Sequence, residues 1–225
     1  MTHTTLLTLA AALGMRHGVD PDHLAAIDGL SRMRPSPWNG VLFAIGHGAL
    51  VTLLAVGIGG LLARHVEPYA PWLLILLGAL NLWRLRKPAT HRHLRIPVSS
   101  PLVLGILFGA GFETASQLSA VVLSADINPW LLGAVFSLGM MIVDGTDGYL
   151  ASRVQNRAIS GGRRALRASR ALGIFIVVFS FSLGTAELLK FDIDRFALPL
   201  GCLLFAWLVA LRIWSANDKR IPEPS

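Results

Sequence analysis

Apolar residues run along this chain in seven stretches separated by short polar or basic segments: Thr5 to Leu30, Asn39 to Ala63, Ala70 to Trp83, Pro101 to Leu123, Pro129 to Leu150, Ala171 to Leu189 and Phe196 to Trp214. A helix needs roughly 20 apolar residues to cross the hydrocarbon core, and only a helix or a closed barrel satisfies its own backbone there. The pattern therefore predicts an all-α integral membrane protein with about seven transmembrane helices. The third stretch is short, and Trp83 at the interface with Arg84 and Arg86 snorkelling would carry it to full width. Polar residues interrupt the first. Pro21 has no amide hydrogen and its ring crowds the carbonyl of His17, so the first helix should break there and release that carbonyl as an acceptor. Composition strengthens this picture, since a mean hydropathy of +0.59 with 53% hydrophobic and 15% charged residues excludes a soluble core.

Charge placement orients the stretches. Of the 20 Lys and Arg residues, all but Arg16, Arg64, Lys190 and Arg195 fall on one side of the predicted spans. Short basic loops stay in the cytoplasm, which puts the amino terminus outside and the carboxyl terminus inside a cytoplasmic membrane. A net charge of +7 raises nucleic acid as a partner, but these basic residues sit where membrane insertion alone places them. Lipid is the expected surrounding, and no nucleic acid is. Thr5 to Leu13 has neither a basic residue before it nor a small-residue cleavage site after it, so it reads as a retained span rather than a signal peptide. Cys202 stands alone in the last stretch, which rules out an internal disulfide.

The chain, read as one transmembrane domain over residues 1–225, also looks duplicated. Phe43-Ala-Ile-Gly46-His47 parallels Phe136-Ser-Leu-Gly139-Met140, and His23-Leu-Ala-Ala26 parallels Gln117-Leu-Ser-Ala120. Leu24 to Phe43 is 19 residues and Leu118 to Phe136 is 18. Residues 5–85 and 101–189 then form two units of three spans each, inverted relative to one another, with an extra helix at 196–214. Inverted repeats of this kind bind substrate near mid-membrane where the units meet.

The chemistry lies in ionisable residues inside the spans, each of which costs at least a few kcal/mol near the bilayer centre unless paired, solvated or metal-bound. The first stretch holds His17, Asp20, Asp22, His23 and Asp28, the second His47, the fourth Glu113, and the fifth Asp144 and Asp147. His17, Asp20 and His23 are spaced three apart, which gathers them on one helical face. Counting about 1.5 Å of rise per residue from the inner end of each span predicts two levels. His23, Asp22, His47 and Asp144 form an inner level; His17, Asp20 and Glu113 form a central one, with Met140 on the same face as Asp144 and Asp147. Imidazole with carboxylate favours a transition metal, whereas oxygen alone would favour magnesium or calcium. Asp28 reads instead as a cap or a partner for Arg32, and Glu187, Ser180, Ser182 and Thr185 as structural. Met1-Thr2-His3 is a further candidate, because a terminal amine, two amides and a third-position histidine can enclose Ni2+ or Cu2+ in a square plane.

His17-x4-Asp22-His23 followed by Leu-Ala-Ala-Ile-Asp28 resembles the signature of the nickel/cobalt transporter (NiCoT) permeases. Phe43-Ala-Ile-Gly46-His47 is similar to the second motif of that family, Gly111-Phe-Glu113-Thr-Ala-Ser-Gln117 to the third, and Gly139-Met140-x3-Asp144-x2-Asp147 to the fourth. This resemblance implies secondary transport of Ni2+ or Co2+ into a prokaryotic cell, with the first motif's His and Asp residues on the ion; Gln117 is a further candidate ligand. It also implies departures. Glu113 and Gln117 stand where the family has Asp and Glu, Gly145 replaces a Thr, and the family's usual eight spans become seven through loss of the first. No cofactor is expected beyond the transported metal, and no enzymatic activity. The competing readings are an exporter or metal sensor, for which the segment before Pro101 offers only His91 and His93, and an intramembrane metalloenzyme, for which the histidines are too few.

Overall fold

The computed structural model describes residues 2–58, 65, 67–86, 100–111, 127–191 and 194–216. Among these the chain is helical, with no strand: α1 (His3–Gly18), α2 (Pro21–Met33), α3 (Asn39–Ala55), α4 (Ala70–Leu85, led in by the 3-10 turn Glu67–Tyr69), α5 (Pro101–Gly111), α6 (Pro129–Ile159), α7 (Arg163–Leu188) and α8 (Asp194–Ala216). Among the described residues, three helical segments, Pro129–Ile159, Arg163–Leu188 and Leu198–Ala216, are long and apolar enough to cross a membrane, and Asn39–Ala55 and Pro101–Ala110 are shorter apolar helices.

Local sequence sets the boundaries. Thr2 caps α1 by accepting the Thr5 amide, and Asn128 caps α6 by accepting those of Trp130 and Leu131 just before Pro129, the usual division of labour between a capping side chain and a proline in the first turn. α2 stops at Met33 because Arg34 precedes Pro35 and is pushed into extended backbone, at φ −144° and ψ 94°. The basic segment between the fifth and sixth stretches is not a loop. α6 and α7 extend to meet at Ser160–Gly162, where Gly161 adopts φ +86°, so Arg153, Arg157, Arg163 and Arg167 lie on helix. Good helix formers continue a helix past the apolar core when nothing breaks it.

All 13 residues of α2 are buried, which makes this short helix the axis of the structure. Leu24 packs with Val154, Leu172, Leu204 and Leu208 of α6, α7 and α8; Ile27 and Leu30 pack on the other side with Phe43, Leu74, Leu77, Leu104 and Phe108. A third apolar cluster joins α1, α3 and α6 through Leu6, Ala10, Ala44, Leu132, Phe136 and Met140. Polarity runs opposite to that of a soluble protein. Ile142, Val178 and Leu203 are 63%, 60% and 72% exposed, whereas His17, His23, His47, Asp144 and Asp147 are 0% exposed. Such an apolar outside around a charged inside is stable in lipid, where the outer face needs no water and the inner polar groups find one another.

Candidate metal centre

The site is built at the break between α1 and α2. Asp20 occupies the N-cap position of α2 with Pro21 after it, a pairing that ordinarily turns an aspartate oxygen onto the free amides of the first turn. That bond is absent; Asp20 Oδ2 lies instead 2.9 Å from His17 Nδ1. The expected free carbonyl of His17 is corrected as well. Breaking the helix lets the Asp20 amide fold back and donate to it at 2.9 Å, so that oxygen already has a partner.

His17 at the end of α1, His23 in the first turn of α2 and His47 midway along α3 converge. Their ring centroids stand 4.5, 4.8 and 4.5 Å apart, and one nitrogen of each lies within 4.8 Å of the other two. The two-level expectation is therefore wrong for the histidines, which form a single cluster. It assumed a straight first helix, whereas the break at Val19–Asp20 brings His17 down beside His23.

Carboxylates aim the rings. Asp144 oxygens lie 3.1 and 3.4 Å from His23 Nδ1, as Asp20 lies on His17 Nδ1. A ring that donates its Nδ1 hydrogen to a carboxylate keeps the lone pair of Nε2 for a ligand. His23 Nε2 is buried without a hydrogen-bond partner. His17 Nε2 is 2.8 Å from His47 Nε2, so in this tautomer it accepts the His47 hydrogen, and a cation can take the place of that hydrogen. Nitrogens about 2.1 Å from one shared ion lie roughly 3 Å apart; the His17–His47 pair is already at 2.8 Å, and the His23 nitrogen, within 4.8 Å of both, would draw in on binding.

Phe136 faces His17 at 5.6 Å between centroids, and Phe43 faces His23 at 5.0 Å, so apolar rings close the cluster on two sides. Charge favours a cation here. Among the described residues, Asp20, Asp22, Asp28, Asp144 and Asp147 are buried against only two buried guanidiniums, those of Arg32 and Arg212. Uncompensated buried charge of that kind is costly, and Asp22 Oδ2 and Asp20 Oδ1 have no hydrogen-bond partner.

The remaining sequence candidates are placed elsewhere. Asp147, one turn beyond Asp144, is 2.6 Å from Arg212 Nη1. Asp28 does not hydrogen-bond Arg32 as expected but meets Arg212 Nη2 at 2.9 Å, while Arg32 reaches across to the backbone oxygen and hydroxyl of Ser169. Met140 packs in the apolar α1–α3–α6 cluster. His3 begins α1 and is exposed, some 20 Å of helix from His17. Glu113 and Gln117 lie outside the described residues. Sequence reasoning missed Arg212, which it counted among the basic residues on the inner side of the spans; the signal was a lone cation between Leu211 and Ile213 in an apolar run.

A family profile, NicO, described as high-affinity nickel-transport protein, matches residues 3–68 and 74–215. The chain belongs to this family. NicO proteins are transporters and not enzymes, which bears out the resemblance carried by the four sequence motifs. Relatives of this NicO chain include the nickel transporter NixA of Staphylococcus aureus, 27% identical over 92% of this chain and 84% of its own length. The hydrogenase nickel incorporation protein HupN of Bradyrhizobium diazoefficiens is 28% identical over 63% of this chain and 52% of its own length. The high-affinity nickel transport protein of Cupriavidus necator is 25% identical over 84% and 71%. No solved structure matches the chain.

Proposed function

We propose that this chain is a secondary permease carrying Ni2+, with Co2+ as a second substrate, into a prokaryotic cell across its cytoplasmic membrane. The observation that supports this most is the buried triangle of His17, His23 and His47 in a membrane protein of the nickel-transport family. Imidazole suits nickel and cobalt, and geometry and access rather than raw affinity decide between metals. In this reading the three Nε2 atoms hold the ion. Asp20 and Asp144 fix two of the rings by their Nδ1 hydrogens, and Asp22, with its unpartnered oxygen, completes the negative surroundings. Replacing Asp144 by asparagine should weaken Ni2+ binding by about 10–100-fold, the usual effect of losing the carboxylate behind a ligating histidine; equilibrium dialysis of the purified protein measures it.

The seven spans are read as two inverted units plus α8. Two crossings support the duplication. A Cβ added to Gly14 or Gly139 would strike the backbone oxygen of Phe136 or Ala11, and one added to Gly105 or Gly46 would strike that of Phe43 or Leu102. α1 thus rests on α6 as α5 rests on α3, with Phe43 and Gly46 repeating the parts of Phe136 and Gly139. Each crossing joins the first helix of one unit to the second helix of the other. Rocking of such units about a central site gives alternating access, and a negative-inside potential draws a cation inward. Flux of Ni2+, Co2+, Zn2+ and Mn2+ measured separately in proteoliposomes tests the reading. Flux of Ni2+ and Co2+ well above that of Mn2+ is expected, and no flux of any of the four would end it.

A further inference from the structure

α8 lies outside both repeat units, yet it touches α2 at both ends. Near its start, Gly201 sits so close to the break that a Cβ there would strike the carbonyl oxygen of Val19 and touch the ring of Pro21. Near its end, Arg212 is 4% exposed and places one guanidinium nitrogen 2.9 Å from Asp28 of α2 and another 2.6 Å from Asp147 of α6. Between these points Leu204 and Leu208 pack against Leu24, the neighbour of His23.

The α2–α6 seam accordingly has two polar rungs. In one, His23 of α2 meets Asp144 of α6 directly. In the other, Asp28 is five residues beyond His23 and Asp147 three beyond Asp144, and both ends are carboxylates. Two buried like charges repel strongly where water is excluded. The second rung therefore closes only because a planar guanidinium can fork to both at once, which a compact ammonium does less well. Once opened, it would let α2 turn away from α6 and carry the His23 ring off Asp144.

We propose that Arg212 is a positioning residue for the metal centre: by bridging Asp28 to Asp147 it holds α2 in register with α6 and so sets the aim of His23. The inference rests on the three-histidine site proposed above, and gives the last helix a part in shaping it. Arg212 itself touches no ion.

The test compares wild type, R212M, R212K and the triple variant D28N/R212M/D147N, purified in detergent, by Ni2+ affinity and by the visible d–d absorption of bound Co2+, which reports ligand geometry. R212M should bind Ni2+ at least tenfold more weakly with an altered Co2+ spectrum. The triple variant, which removes the repulsion along with the cation, should return to within about threefold of wild type with a near-native spectrum. Wild-type affinity and spectrum in R212M would overturn the proposal, as would a triple variant as weak as R212M. If R212M does not accumulate, R212K decides: a loss of three- to tenfold with a changed spectrum supports the role, and wild-type behaviour removes it. Wild-type protein that binds neither metal would instead count against the three-histidine site itself.

Discussion

Changing His23 to alanine is expected to bring Ni2+ uptake in proteoliposomes down to that of protein-free vesicles, while the purified variant remains helical and monodisperse. His23 stands 4.5 Å, centroid to centroid, from each of His17 and His47, and its Nε2 is a buried nitrogen with no hydrogen-bond partner among the described residues. Removing it deletes a ligand and also leaves Asp144 buried without the ring it holds. Losing the carboxylate behind a ligating histidine alone costs about 10–100-fold in metal affinity, so loss of the ligand itself should exceed about 100-fold. Alanine is a good helix former, which is why α2 should still form and insert. Uptake within twofold of wild type would show that the ion does not use this ring.

A second large effect is expected at Gly40, on structure rather than binding. A Cβ there would run into the backbone oxygen of Asp144, and one on Gly148 into the backbone of Gly40. Both obstacles are main chain, so neither can swing aside. Gly40→Leu should force α3 away from α6, at a cost of about 3 kcal/mol or more and a fall in Tm of about 10 °C. Because α3 carries His47 and α6 carries Asp144, the same variant should lose Ni2+ binding. Differential scanning fluorimetry in detergent reads the first effect; an unchanged Tm would mean that this crossing does not set the fold.

Much of this was legible in the sequence because lipid imposes simple rules. Apolar stretches marked the helices, Pro21 marked the break, and His17, His23 and His47 stood out because ionisable groups in such stretches need a reason to be there. Three-dimensional pairing was the part that spacing could not supply. A depth estimate that treats the first span as straight separates His17 from His23, whereas two non-helical residues bring them together. Asp20 and Asp144 read as ligands from residue type alone; only the geometry showed each one bonded to an Nδ1. Arg212 was hidden for a different reason. Its partners Asp28 and Asp147 are 184 and 65 residues away in sequence, and a basic residue near the end of a last span ordinarily belongs to the interface. The basic segment between the fifth and sixth stretches shows the converse, since hydropathy marks where lipid contact ends and not where a helix does.

X-ray absorption at the nickel edge, on purified protein carrying one equivalent of Ni2+, tests the central claim most directly. The account predicts the multiple-scattering pattern of three imidazoles with nitrogens at about 2.1 Å, falling to two in the variant His47→Ala. A shell of oxygen atoms without imidazole scattering, or one unchanged by that substitution, would contradict it.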